Sequence, residues 1–489
     1  MPSEENFTSR PPPGAGVTPG LSAATPPAGL PPVAPPSGKL MLQLFLVPGL
    51  IVAFLIGAWL VGGWLFGVSY SKDSFLTKLS DPNAEVRWRT AEQLAQVLLR
   101  DDALAADGDF ARQLGLLLEK MRDESRTAEA AYASRVGSLS KSDADAERNK
   151  LRPDRILIGF LGASLGDFMV PVGAPILKEL ALQKEGLDPK TRALQRRQAV
   201  WALANLGANL KHFDKLDGPK KEVVLDRLRV ALWDAAQAAG DRNAFLKASA
   251  DEKDAALEKL DVGARPGHPD WLRDALRVLR KRAKGEDDDM GVGDALAACS
   301  GEKDDPYLRE LAAFAMNFWR GDAAANARMD GALAALTLDG GAGEDNLDAI
   351  SEEKEESPMA DALAALTGGD NGGTVAVSKI PGLQIRFNAA VALARFGSRD
   401  ARLDLLKDML DENYLRSNLL LRPKGGGPEQ PNEEVIGLTL VNALKAVAEL
   451  HRLRPDADLS ALKPAVDALA GSSNADVRTE AEKTRIALK

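Results

Sequence analysis

One helical window recurs along this chain, and it constrains the fold more than any other feature. It is clearest at Ile385–Gly397, read Ile-Arg-Phe-Asn-Ala-Ala-Val-Ala-Leu-Ala-Arg-Phe-Gly. Without a gap, the same frame fits Val86–Leu98, Gln195–Gly207, Leu308–Arg320 and Val477–Lys489. Each window has an arginine at its second position (Arg87, Arg196, Arg309, Arg386, Arg478) and a small residue at its fifth (Thr90, Ala199, Ala312, Ala389, Ala481). A helix with a stripe of small apolar residues cannot bury that stripe alone, so copies must stack. At 489 residues the chain also exceeds one compact core, which leaves several domains or one extended repeat array.

Composition agrees with stacked helices. Hydrophobic residues make up 45% of the chain but aromatics only 5%, so Ala, Leu and Val carry the packing. These residues suit close helix–helix contact, and no alternation of period two stands out, so the expected class is all-α. The net charge is −9. Glu4 and Glu5 cancel Arg10 and Lys39 in the first forty residues, so the whole acidic excess lies beyond them. An acidic body argues against a nucleic-acid partner. The single cysteine, Cys299, excludes an intramolecular disulfide framework and a cysteine-built metal site.

The chain divides into three parts. Residues 1–39 are rich in proline and glycine and carry almost no large apolar side chains, so a disordered tail is expected there. Residues 40–69 contain Met41–Val68, 28 residues without a charge, where about 20 apolar residues suffice to cross a bilayer. This predicts a single-pass membrane helix, with Trp59, Trp64 and Tyr70 near its C-terminal interface. The spacing Gly63-x-x-x-Gly67 would allow two such helices to pair as a homodimer. Lys72, Lys78 and Arg87 follow the segment and only Lys39 precedes it, which predicts that the C-terminal part is cytoplasmic.

Residues 70–489 read as the repeat domain, its unit being a short apolar helix, a polar turn and an Arg-bearing helix. Ser80-Asp81-Pro82 is the first such turn, ahead of a helix over Asn83–Arg100. Further helices are expected at Phe110–Met121, Asp154–Phe168, Val172–Leu182, Lys221–Ala238, Trp271–Lys284 and Ala401–Leu410. The arginines are 109, 113, 77 and 92 residues apart, so additional units must lie between them. Loop insertions are expected near 285–303, 339–379 and 422–431.

The pattern resembles a HEAT repeat, in the short variety grouped with bilin-lyase-like HEAT repeats. Asp81 and Arg87 stand six apart, as that family's turn Asp and second-helix Arg do. The resemblance implies an α-α superhelix and a lateral ladder through this pair between neighbouring repeats. Lys303 and Ser472 take the Asp place before Arg309 and Arg478, and Gly437 takes the Arg place in Ile436–Ala448.

Residues for catalysis do not assemble. His212, His268 and His451 lie far apart without metal-ligand spacing. Glu286-Asp-Asp-Asp289 lacks the spaced ligands of a calcium loop, and Gly425-Gly426-Gly427 is not followed by Lys-Ser/Thr. No catalytic, cofactor or metal residues are therefore expected. One charged feature remains. Arg273, Arg277, Arg280, Lys281 and Lys284 share a side of the helix Trp271–Lys284, a ridge suited to an anionic surface or to solvent. The expected function is a non-catalytic, membrane-anchored scaffold or adaptor that binds a protein partner. The alternatives are an enzyme or enzyme subunit of the bilin-lyase-like kind, or a structural envelope spacer.

Overall fold

The computed structural model describes residues 71–184, 189–263, 265–338, 374–423 and 427–489. The expected tail, the membrane segment 40–69 with Gly63 and Gly67, and the acidic stretch 339–373 lie outside the described residues. Among the described residues, no helix is long and apolar enough to cross a membrane.

The first third of the described chain comprises α1 (Lys72–Leu79), α2 (Ala84–Leu98), α3 (Asp102–Ala105), α4 (Gly108–Val136), α5 (Lys141–Gly166), a 3-10 turn at Pro171–Gly173 and α6 (Ala174–Leu182). The middle comprises α7 (Pro189–Lys215), α8 (Gly218–Ala235), α9 (Arg242–Lys247), α10 (Ala250–Glu258), α11 (Pro269–Ala283), α12 (Val292–Ser300), α13 (Pro306–Met316) and α14 (Ala323–Leu338). After β1 (Thr374–Ser378) come α15 (Leu383–Arg395), α16 (Leu403–Leu410), α17 (Glu412–Asn418), β2 (Leu419–Pro423), β3 (Gln430–Pro431), α18 (Glu433–Leu453), α19 (Lys463–Leu469) and α20 (Ala475–Ala487). The chain is mostly helical. Side-chain oxygens start many of these helices: Asn83 accepts from Glu85 N, Asp305 from Leu308 N, and Ser249 and Glu252 form a reciprocal capping box.

All five Arg-bearing windows fall in one row. Helices α2, α5, α7, α13, α15, α18 and α20 contact one another in that order. A second set packs beside them: α1 on α2, α4 on α5, α6 on α7, α12 on α13, α14 on α15, α16 on α18 and α19 on α20. Thr90, Ala199, Ala312, Ala389 and Ala481 are all buried, because a small side chain there lets neighbouring backbones close up. Two row helices bring their backbones together at Gly166, where a Cβ would stand 2.7 Å from Ala202 O. The units that had to lie between the arginines are explicit: α5 stands between α2 and α7, and α18 between α15 and α20. Helices α8, α10 and α11 form a side layer, with α8 and α11 both touching α4.

The apolar interior is in two parts that meet at α15. Ile385, Ala389, Ala392 and Leu393 belong to the larger core, which runs from α1 to α14. Leu383, Phe387, Val391 and Ala394 belong to the smaller, C-terminal one. The window from which the repeat was read is thus the helix that joins both cores, and that is why nearly every position of it is apolar or small.

Several expectations need correction. The region 285–303 is not a plain insertion, because α12 occupies Val292–Ser300 and buries Val292, Leu296 and Cys299. Helices α4 and α5 extend well past the predicted Phe110–Met121 and Asp154–Phe168. Their distal parts are largely exposed, so they carry helix propensity without an apolar stripe to reveal them. Pro153 does not begin α5 but sits inside it; Pro153 and Asn149, whose carbonyl loses its donor, are both exposed to water. Strands were not expected, yet β2 lies between β1 and β3 in an antiparallel sheet, with Val377 opposite Leu420 and Leu421 opposite Gln430. The predicted breakers 339–379 and 422–431 therefore share one sheet. Strands this short, paired across some forty residues of sequence, leave no periodic trace.

Candidate interaction face

The repeated arginines do related work at three of their five positions. Arg196 Nε donates to Ala181 O at 2.8 Å, Arg309 Nε to Ser300 O at 3.1 Å and Arg478 to Ser472 O at 2.7 Å. Each acceptor lies at or just beyond the end of the preceding helix, where carbonyls lack intrahelical donors and the dipole is negative. The arginine thus ties its helix to the end of the one before it. Arg196 also reaches Glu302 of the next unit's turn at 3.1 Å, and Arg197 reaches Asp305 there at 3.1 Å. Burial raises the Glu302 carboxyl, but Arg196 and Lys184 outweigh it and hold the pKa below the usual range.

The other two arginines differ. Arg87 pairs with Asp154 of α5 at 2.9 Å, so its lateral bond is made, but not with Asp81. Asp81 instead accepts from Asn83 N at 2.7 Å and closes the turn. Arg386 has β1 before its helix among the described residues, and its buried Nε has no hydrogen-bond partner among them.

The ridge on α11 is largely spent within the molecule. Arg277 and Lys281 pair with buried Asp288, Lys281 at 3.0 Å, and Arg280 pairs with buried Asp254 at 3.3 Å. Arg273 and Lys284 are exposed. Asp288 and Asp289 are likewise anchors: Asp289 accepts from Gly291 N and Gly293 N, at 3.1 and 2.8 Å, and steadies the start of α12. Among the described residues no group of His, Cys, Asp or Glu is arranged to hold a metal ion. Cys299 is buried and its thiol is pushed up to about 11 by that burial. His268 stacks on Trp271 with its Nε2 3.2 Å from Glu119, while His212 is exposed and His451 Nδ1 is buried without a partner.

A feature the repeat frame did not single out lies across the row. Trp88 of α2 meets Phe160 of α5 edge-on at 6.5 Å. Trp201 of α7 stacks on Phe314 of α13 at 5.7 Å with 8° between planes, and Phe314 meets Phe318 edge-on at 5.2 Å. All five rings are half-buried, so each bridges two helices while keeping an edge in water. Trp201 and Phe314 both stand at position seven, two residues after the buried alanine and therefore about 200° round the helix from it. The other windows have Glu92, Val391 and Lys483 at that position, so the signal was present in only two copies.

Cations gather at one end of this track. Lys211 Nζ stands 5.2 Å from the Phe318 ring, and the Arg320 guanidinium lies 3.6 Å over Phe396. Arg395 makes a long contact, 3.4 Å, to Asn442 Oδ1. Among the described residues none of these three cations has a carboxylate within ion-pair distance. Burial lowers the pKa of all three; for Lys211, Arg395 and Arg282 lower it further. Chemically the face offers flat apolar rings and positive charge. Compared with known proteins, the chain matches no family model, and the search of curated proteins finds no match.

Proposed function

We propose that this chain is a membrane-anchored helical-repeat scaffold whose row of Arg-bearing helices binds a protein partner without catalysing a reaction. In this reading residues 70–489 form a HEAT-like α-α superhelix, residues 40–69 hold it at the membrane, and the repeats face the cytoplasm. The observation that carries the reading is the two groups of half-buried rings, Trp88 with Phe160 on α2 and α5, and Trp201 with Phe314 and Phe318 on α7 and α13. In a chain with 5% aromatics, rings kept at the surface of stacked helices are the residues that supply binding energy at protein interfaces. Regular stacking through small residues supports it further, because arrays of this kind present long continuous surfaces.

The test is proximity labelling with a biotin ligase fused after Lys489, compared with the same ligase fused directly after residue 70. We expect the full chain to label a distinct, recurrent set of membrane-adjacent proteins. That labelling should fall when Trp201 and Phe314 are both changed to Ala, with helicity retained by circular dichroism. Identical sets from the two fusions would sink the scaffold reading.

A further inference from the structure

The ends of four row helices converge on the cationic end of the aromatic track. Lys211 lies in the last turns of α7, Arg320 just beyond α13, Arg395 is the final residue of α15, and Glu449 lies in the last turns of α18. Contacts chain them together: Lys211 lies against Phe318, two residues before Arg320, and Arg320 lies over Phe396, the residue after Arg395, which itself reaches Asn442 of α18. We propose that this rim, formed by Lys211, Arg320 and Arg395 with Phe314, Phe318 and Phe396, is the docking site for an acidic segment of the protein partner that carries apolar side chains between its carboxylates.

Helix dipoles explain part of the arrangement, since a cation near a helix C-terminus is favourable by about 0.3–1 kcal/mol. They do not explain why two of the neighbouring carboxylates are committed elsewhere. Glu449 is held by Arg452 at 2.5 Å, and Asp214 by Arg282 of α11. Among the described residues no carboxylate stands within ion-pair distance of these cations, of which Arg320 and Arg395 are half-buried and Lys211 is exposed; Asp287, Asp330 and Glu449 act on Arg320 only from farther off, on a chain whose net charge is −9. Partly buried cations that lack a partner attract an anion strongly, because little water screens them. The rings set the rest of the chemistry. Phe396 beneath Arg320 and Phe318 beside Lys211 flank the charges, and Phe318 continues through Phe314 to Trp201. A free anion would use only the cations, whereas a peptide with alternating acidic and apolar residues meets both. This inference rests on the scaffold reading, and it names the chemistry of the partner segment.

The test uses the purified full-length chain in detergent micelles and fluorescence anisotropy. The probe is a labelled twelve-residue peptide of repeating Glu-Glu-Phe, with repeating Lys-Lys-Phe as its counterpart. We expect the acidic peptide alone to bind, with affinity falling several-fold as salt rises from about 50 to about 200 mM. Lys211→Glu, at an exposed position, should weaken binding about tenfold, and Lys211→Arg should restore it. Arg395→Gln should also weaken it. Unchanged affinity in Lys211→Glu, or equal binding of the basic peptide, overturns the proposal. So does preferential, Lys211-dependent binding to phosphatidylserine vesicles, which would make lipid the occupant. A gain in peptide affinity of tenfold or more after neutralising the acidic residues of 344–356 would make the chain's own insertion the occupant and overturns it equally. Failure here with distinct labelling from the Lys489 fusion removes only this inference. Loss of that labelling removes the scaffold reading itself.

Discussion

Asp167 shows how one side chain can set the pH response of the fold. It is the C-terminal capping residue of α5, and burial alone pushes its carboxyl up to about 7. The folded chain therefore holds a proton there that the unfolded chain, with a pKa near 3.8, has already lost. Stability must fall as pH rises through the window between these values and then level off above about pH 7.5. A shift of this size corresponds to at most about 4 kcal/mol. Asp167→Asn is expected to raise the melting temperature near pH 8 and to flatten its dependence between about pH 5 and 7.5. Parallel melting-versus-pH curves for the two proteins would show that Asp167 is solvated. The repeated arginines make the opposite point: their positions were plain in sequence, but their partners were not. Arg196, Arg309 and Arg478 bond main-chain carbonyls, a class of acceptor that every residue carries and no spacing can identify.

At the scale of the element, α15 is the most demanding helix. Ala389, Ala390, Ala392, Leu393 and Ala394 are fully buried, because the helix touches α13, α14, α16 and α18 at once. Ala390→Glu places a charge where no water or counterion reaches and overfills a site sized for a methyl group. We expect a loss of about 3–5 kcal/mol, read as a lower melting temperature of the full chain. A melting curve like that of the unaltered protein would mean that α15 is not clasped from both sides. The α11 ridge illustrates a limit of helical-wheel reasoning. Its cations do share a side, as the spacing required, but Asp254 and Asp288 come from other segments and neutralise much of it. Similarly, α4 and α5 were visible only where an apolar stripe marked them, and their exposed halves were not.

For the whole molecule, the proposed orientation places the acidic insertion in the cytoplasm. A cysteine in place of Ser357, with Cys299 changed to Ala, gives a probe within that insertion; native Cys299 is buried and unsuited to the purpose. An impermeant thiol reagent should label it only after cell lysis. Labelling on intact cells would put the repeats outside.

Five windows in one frame were enough to predict stacked helices, since a stripe of small residues has no other way to leave water, and the buried fifth positions agree with this. Local chemistry likewise marked the turn at Ser80–Pro82. The contacts between distant residues were a different matter. The sheet joining both insertions, the core divided at α15, the carboxylates that occupy the α11 ridge, and the meeting of Lys211, Arg320 and Arg395 all bring together residues far apart in sequence. Periodicity records which face of a helix leaves water. It carries no information about which other face will meet it, and that depends on how the helices close on one another.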